Sequence, residues 1–254
     1  MSQKTTTHLE FRDVSVYYAG KKALDEISIS VARNSVLGIV GPSNSGKTSL
    51  LRTVNRTLEF ISIARRTGEV RIDGEEVNSI KNVYGLRQRI GMVFPLPVGL
   101  PMSVYENVAY APRRMGINDK ATLDNLVEQC LRDSVLWDEV KDRLDLLGTR
   151  LSGGQQQRLT LARALSLEPE LLCLDEFSIA IDPVTTMKIE EVLTRLKERM
   201  TIILVTNLTQ QARRMADHVA FINDSQLVEW GETDQMFNSP TREITGRYLN
   251  GEFG

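Results

Sequence analysis

Apolar positions change period several times along this chain, and each change marks an element. Leu9–Tyr18 (LEFRDVSVYY) alternates apolar and polar residues, and Ile27–Val31 alternates more strictly. Period-two alternation predicts strands with one buried face, here a half-exposed antiparallel sheet. Val36–Val40 is apolar throughout, the pattern of a strand covered on both faces. The stretch after it that suits a helix is Thr48–Asn55. Gly68–Val77 places two short β-runs around Asp73-Gly74, a strong hairpin signal. Arg89–Phe94 reads as another short strand and runs into Pro95–Pro101, where three prolines forbid a helix and mark a shaped loop. From Ser103 the period becomes helical. Ser103 and Glu106 have capping-box spacing, and Leu123, Leu126, Val127, Cys130 and Leu131 recur at helical intervals within 119–134. Residues 96–150, approximately, therefore read as a helical insertion.

Composition narrows the class. The 254 residues suffice for one large α/β domain or two small ones. With 31 Lys and Arg against 33 Asp and Glu, no basic excess speaks for general nucleic-acid binding. Cys130 and Cys173 cannot form a disulfide framework, and Cys173 lies in an apolar run as a small core residue. Met1–Glu10 is polar, with no signal-peptide core, and no stretch approaches 18 apolar residues. A reducing cytosolic location is the simplest expectation, with any membrane role coming through a partner.

Chemistry enters between the buried strand and the following helix. Gly41-Pro42-Ser43-Asn44-Ser45-Gly46-Lys47-Thr48 fits the phosphate-binding pattern G-x-x-x-x-G-K-[ST], followed by Ser49. Gly41 and Gly46 let the backbone curl so that several N–H groups face one anion. The helix start adds its unpaired N–H groups and positive dipole end. Lys47 is expected to reach the β- and γ-phosphates of a nucleotide, and Thr48 to ligate Mg²⁺. A glycine-rich turn that matches by chance is the bland alternative, and the strand and helix on either side speak against it. A second helix start has the same character. Ser152-Gly153-Gly154-Gln155 opens a helix with Ser152 as N-cap and two glycines in the first turn. Glycines there weaken a helix, so they should serve the approach of a ligand to bare N–H groups. One P-loop and two anion-holding helix starts suggest a dimer in which each chain completes the other's site.

Leu151-Ser152-Gly153-Gly154-Gln155 resembles the signature motif of ATP-binding-cassette (ABC) ATPases. Leu171–Glu176 resembles the Walker B strand of that family, and Ala180–Pro183 its D-loop. The resemblance implies the following roles. Asp175 holds Mg²⁺ through water, Glu176 polarises the attacking water, and Tyr18 stacks on adenine. Phosphoryl transfer needs metal positioning and nucleophile orientation together. The implied fold is a P-loop α/β core with an antiparallel β subdomain and the helical subdomain of residues 96–150. Arg89–Phe94, Pro101–Tyr110, Leu151–Arg158, Gln210–Arg213, Asp217-His218 and Ile244–Tyr248 resemble the phosphate-import ATPase subunit of bacterial and archaeal transporters. That subfamily implies a motor on the cytoplasmic face of the membrane and a homodimer with ATP bound. It also implies two integral membrane permease subunits and, indirectly, an extracytoplasmic solute-binding protein.

Four positions depart from the family pattern. Pro95 stands where the family has a glutamine, and it offers neither an amide side chain nor an N–H. Asn207 replaces the histidine after the Thr201–Thr206 strand; it donates a hydrogen bond but is shorter and never cationic. Phe177 and Ile179 replace a proline and the D-loop serine. Lys47, Asp175 and Glu176 are retained. His8, in the polar N-terminus, and His218, a strand-start residue, do not replace the missing histidine. Asp182 before Pro183 fits an N-cap as well as a D-loop, and Lys188–Arg199 reads as a solvated helix face. Other readings stay open: an importer ATPase for another solute such as polar amino acids, an ATP-gated scaffold that barely hydrolyses, and a soluble ABC protein of repair or translation.

Overall fold

The structure, a computed structural model, describes residues 6–253; the first five residues of the polar start lie outside the described residues. One ten-stranded sheet runs through the molecule in the order β5-β4-β1-β2-β10-β9-β3-β8-β7-β6. In chain order the strands are β1 (Thr7–Tyr18), β2 (Lys21–Ala32), β3 (Val36–Val40), β4 (Ala64–Ile72) and β5 (Glu75–Glu76). They continue as β6 (Ile90–Val93), β7 (Leu171–Asp175), β8 (Thr201–Val205), β9 (His218–Asn223) and β10 (Gln226–Glu232). The helices are α1 (Lys47–Val54), α2 (Val83–Gln88), α3 (Val104–Arg114), α4 (Lys120–Asp133), α5 (Trp137–Val140), α6 (Gly153–Leu165), α7 (Pro183–Leu196), α8 (Thr209–Met215), α9 (Thr233–Asn238) and α10 (Glu243–Leu249).

The sheet has two halves of different character. In the first, β2, β1, β4 and β5 pair antiparallel. In the second, β6, β7, β8, β3 and β9 are parallel, and β10 returns antiparallel on β9. Every residue of β3, β7 and β8 is buried, as parallel strands covered by helices on both faces require. The halves meet at β2 and β10, which share one register pair, Asp25 with Gln226. The Asp73-Gly74 turn forms as expected, both residues at positive φ, although β5 is only two residues long and β4 starts before Gly68.

Between β6 and β7 the chain is helical. Val104 and Val108 of α3, Leu123, Val127 and Leu131 of α4, and Leu159 of α6 share one apolar cluster with Val93 and Leu174 of the sheet. The Ser103 hydroxyl accepts the Glu106 N–H at 3.0 Å, but the Glu106 carboxylate turns to Arg113 at 2.7 Å, so only half of the capping box forms.

Two expectations are corrected. His8 is not a residue of a loose polar start: it is a buried residue of β1, 1% exposed, with Nδ1 2.6 Å from Thr201 Oγ1. Lys188–Arg199 is not a solvated face throughout, because Ile189, Leu193 and Leu196 are core residues of α7. Glu190 is also buried, its carboxylate held by Arg214 at 2.7 and 2.8 Å and by Gln211 at 3.1 Å. Buried charges survive when paired in this way.

Candidate nucleotide-binding site

The buried strand β3 delivers Gly41–Gly46 to the rim of the sheet. Gly46 precedes α1 in the left-handed region, φ 106°, and a side chain there would strike the Ala23 carbonyl of β2. Only glycine meets both conditions. Lys47 is buried, and its ammonium donates to the Gly41 and Pro42 carbonyls at 2.7 Å each. Burial pulls its pKa down, opposed by the carboxylates of Glu176 and Asp175.

Tyr18, Ser43, Asn44, Ser45, Gly46, Lys47, Thr48, Ser49, Pro95 and Glu176 line one cleft of about 450 Å³, with Ala23. That volume is in the range of small-molecule sites. The Tyr18 hydroxyl lies 2.9 Å from Ser49 Oγ, a hydrogen bond that fixes the ring at the rim. Gly41 sits deeper, confined by the Ile222 carbonyl, and Pro42 faces a neighbouring hollow.

β7 ends in Asp175, and Glu176 directly after it lines the cleft. Both Asp175 oxygens are buried and, among the described residues, without a hydrogen-bond partner. Burial raises the Asp175 pKa and adjacent Glu176 adds to the rise. The Thr48 hydroxyl, Lys47 and Arg52 oppose it, without giving either oxygen a hydrogen bond of acceptable geometry. A buried carboxylate without partners is costly to keep charged. Beside a threonine hydroxyl, it is the hard oxygen donor set that suits Mg²⁺. Glu176 follows at φ 45°, its N–H held by the Val205 carbonyl at 2.9 Å. The strained backbone turns its side chain out of the strand into the cleft.

Ser152, Gly153, Gly154 and Gln155 do not line this cleft. They form the exposed start of α6 with a complete capping box: Ser152 Oγ accepts the Gln155 N–H at 3.3 Å, and Gln155 Oε1 accepts the Ser152 N–H at 3.0 Å. The two glycines differ. A side chain at Gly153 meets open space, whereas one at Gly154 would come 2.8 Å from the Ala180 carbonyl. Gly153 leaves room for a ligand; Gly154 leaves room for the loop after Glu176. Asp182 caps α7 through the Thr185 N–H at 2.9 Å.

The departing residues surround the site. Pro95 is in the cleft wall. Asn207 lies beyond Glu176, in a hollow of about 320 Å³ that both line with Ser178, Ile179, Thr206 and Leu208. Phe177 is buried and Ile179 is 69% exposed. His218 opens β9 against Trp230. Two contributors lay in family-resembling stretches, but sequence reading gave neither a role at the site. Tyr248 of α10 stacks on Phe221 at 4.7 Å, next to Val40 in one apolar cluster, and the Gly41 N–H faces its phenol oxygen. Gln157 Nε2 donates to the Phe94 carbonyl at 2.9 Å, linking α6 to the residue before Pro95. Gln157 lay within the family-resembling stretch Leu151–Arg158, in a run of three glutamines, with no role attached to it.

The fold and the cleft together define a nucleotide-binding P-loop ATPase. The sequence profile of the ABC transporter family matches residues 24–178, and the chain belongs to that family as its ATPase motor domain. Solved structures agree. The ATP-binding cassette MJ0796, in a dimeric post-hydrolysis state with ADP and Pi, has a TM-score of 0.77 at 26% identity, over 89% of this chain and 98% of that one. The cbiO1 protein from Clostridium perfringens, part of the cbiONQ ABC transporter complex, gives 0.78 at 24%, over 91% and 90%. A bacterial Atm1-family ABC exporter with ATP bound gives 0.77 at 24%, over 90% of this chain and 40% of that one. Among the described residues no helix is long and apolar enough to cross a membrane.

Proposed function

We propose that this chain is the ATP-hydrolysing motor of an ABC importer, with inorganic phosphate as cargo. The observation that carries the motor reading is the one cleft lined by Lys47, Thr48 and Glu176, with Asp175 buried beside Thr48 and, among the described residues, without a hydrogen-bond partner. ATP sits with its phosphates on the Gly41–Thr48 backbone and its adenine against Tyr18. Lys47 exchanges the Gly41 and Pro42 carbonyls for phosphate oxygens, which as charged acceptors hold it more strongly. Thr48 and Asp175 hold Mg²⁺, which when bound neutralises charge on the phosphates. Glu176 orients the water that attacks the γ-phosphate and takes up its proton.

Ser152 and Gly153 are exposed and away from the cleft, so they serve the γ-phosphate of a second copy, and Mg·ATP closes the dimer. Hydrolysis reopens it, and the motion passes to two membrane permease subunits through the Pro95–Tyr110 region on the cytoplasmic face. A solute-binding protein on the other side delivers the cargo. Import of phosphate rests on the resembling stretches Pro101–Tyr110 and Ile244–Tyr248. Co-purification with permease subunits, followed by ATPase assays with phosphate and with polar amino acids, tests it; stimulation by an amino acid instead of phosphate would reject the cargo. A second reading, an ATP-gated scaffold with slow hydrolysis, is favoured by Pro95, which gives the cleft wall neither an amide nor an N–H.

A further inference from the structure

The proposed dimer depends on how the start of α6 is held, and the helix is held from outside its own motif. The Glu139 carboxylate, in the first turn of α5, accepts three hydrogen bonds from α6. Gln155 Nε2 donates to Oε2 at 2.8 Å. Arg158 Nη1 donates to Oε1 at 2.6 Å and Nη2 to Oε2 at 3.2 Å. Arg158 is only 7% exposed in its side chain. It also donates to the Val135 carbonyl at 2.7 Å and to the Gly154 carbonyl at 3.3 Å. The guanidinium holds the Glu139 carboxyl below the usual glutamate range. α5 is anchored in the core on both sides, by Leu136 just before it and by Val140 at its end.

This arrangement reassigns Gln155. Its amide oxygen is taken by the Ser152 N–H and its amide nitrogen by Glu139. What the helix start offers a ligand is the Ser152 hydroxyl and the N–H groups behind Gly153. Their direction is set by Gln155, and Gln155 is set by Glu139. We infer that Glu139 is a positioning residue for closure of the dimer on ATP: it touches no nucleotide but aims the Ser152–Gly153 anion site through Gln155 and Arg158. Small displacements of positioning groups have large effects on such sites. The inference rests on the dimer reading above, and it predicts a separation. The P-loop cleft binds ATP within one chain and does not include Glu139; dimer closure does depend on it.

Glu139→Gln is the informative change. It keeps size and shape, so the fold should survive, but one carboxylate oxygen becomes an NH₂ group that faces a donor, either Arg158 or Gln155. Both parent and variant carry Glu176→Gln to hold ATP. Light scattering across an ATP titration in Mg²⁺ reads the dimer, calorimetry of Lys47-dependent ATP binding in dilute protein reads the cleft, and thermal melting reads the fold. The expected result is ~10-fold more ATP for half-maximal dimer in Glu139→Gln. Binding in the dilute protein should change less than twofold, with partial recovery of the dimer in Glu139→Asp. Equal dimerisation by parent and Glu139→Gln would overturn the inference. So would a joint fall of dimer, ATP binding and melting temperature, which marks a merely structural residue. A parent that stays monomeric in saturating Mg·ATP would instead reject the dimer reading, and the inference would fall with it.

Discussion

Among the described residues Lys47 has no carboxylate partner within hydrogen-bond reach, and it spends its ammonium on two loop carbonyls. Removing it takes away a charge-assisted contact to phosphate worth about 1.5–3 kcal/mol. Lys47→Ala should therefore weaken ATP binding by ~10- to 100-fold in calorimetry, and unchanged affinity would show that the phosphates lie elsewhere. Pro95 and Asn207 bear on the chemical step. Losing one preorganised transition-state contact typically lowers turnover by ~10² or more. Asn207→His should raise single-turnover hydrolysis while leaving ATP affinity within about twofold, the mark of a contact made in the transition state. Pro95→Gln should help further, and the gains need not add, since both residues act on one phosphate. Equal rates for the parent and the double variant would remove the case for an impaired motor.

At the scale of elements, the motif-bearing pieces were legible because their signals are local. The apolar run of β3, the glycines before α1, and Ser152 as N-cap before two glycines each lie within a few residues. Asp182 as the cap of α7 was legible for the same reason. What joins elements was not. Glu139 stands 16 positions before Gln155, and nothing in the α5 sequence points to α6. His8 looked like part of a polar tail because its partner Thr201 is 193 positions away. The Ser152–Gln155 stretch also hid a division between its glycines. Gly154→Ala should cost ~1–3 kcal/mol, because its Cβ would press on the Ala180 carbonyl at 2.8 Å. Gly153→Ala, facing open space, should stay within about 0.5 kcal/mol of the parent. Denaturant melts of the two variants check this, and equal losses would contradict the packing described here.

Across the whole molecule, His8 belongs to a cluster that joins the two halves of the sheet. Its Nε2 lies 4.0 Å from Asp73 and 3.9 Å from Glu170, and Arg89 bridges those two carboxylates while Arg33 pairs with Asp73. Burial lowers the His8 pKa below its ordinary 6.5, and Arg33 and Arg89 push the same way against Asp73 and Glu170. The folded chain thus holds His8 neutral where the unfolded chain takes up a proton. Its contribution to stability is complete above pH 6.5 and is lost as pH falls below that value, with a slope of at most ~1.4 kcal/mol per pH unit. Chemical denaturation of His8→Gln across this range should show a flatter pH dependence than the parent, and parallel curves would exclude His8 as the source.

The single register pair between β2 and β10 has a mechanical consequence. The sheet there is two plates stitched by one backbone rung and joined otherwise through side chains, those of a shared apolar core and of the His8 cluster, and the cleft lies across that seam. Tyr18 and Ala23 belong to the antiparallel plate, whereas Lys47 and Glu176 follow strands of the parallel one. A nucleotide seated in the cleft therefore acts as a rivet, one more tie between the plates beside that core and the His8 cluster. Saturating Mg·ATP should slow amide hydrogen exchange at Leu24–Ile27 and Gln226–Val228, where the plates meet. It should leave the interior strands β7 and β8, already buried on both faces, nearly unchanged. Uniform slowing across the sheet would mean that the two halves move as one body.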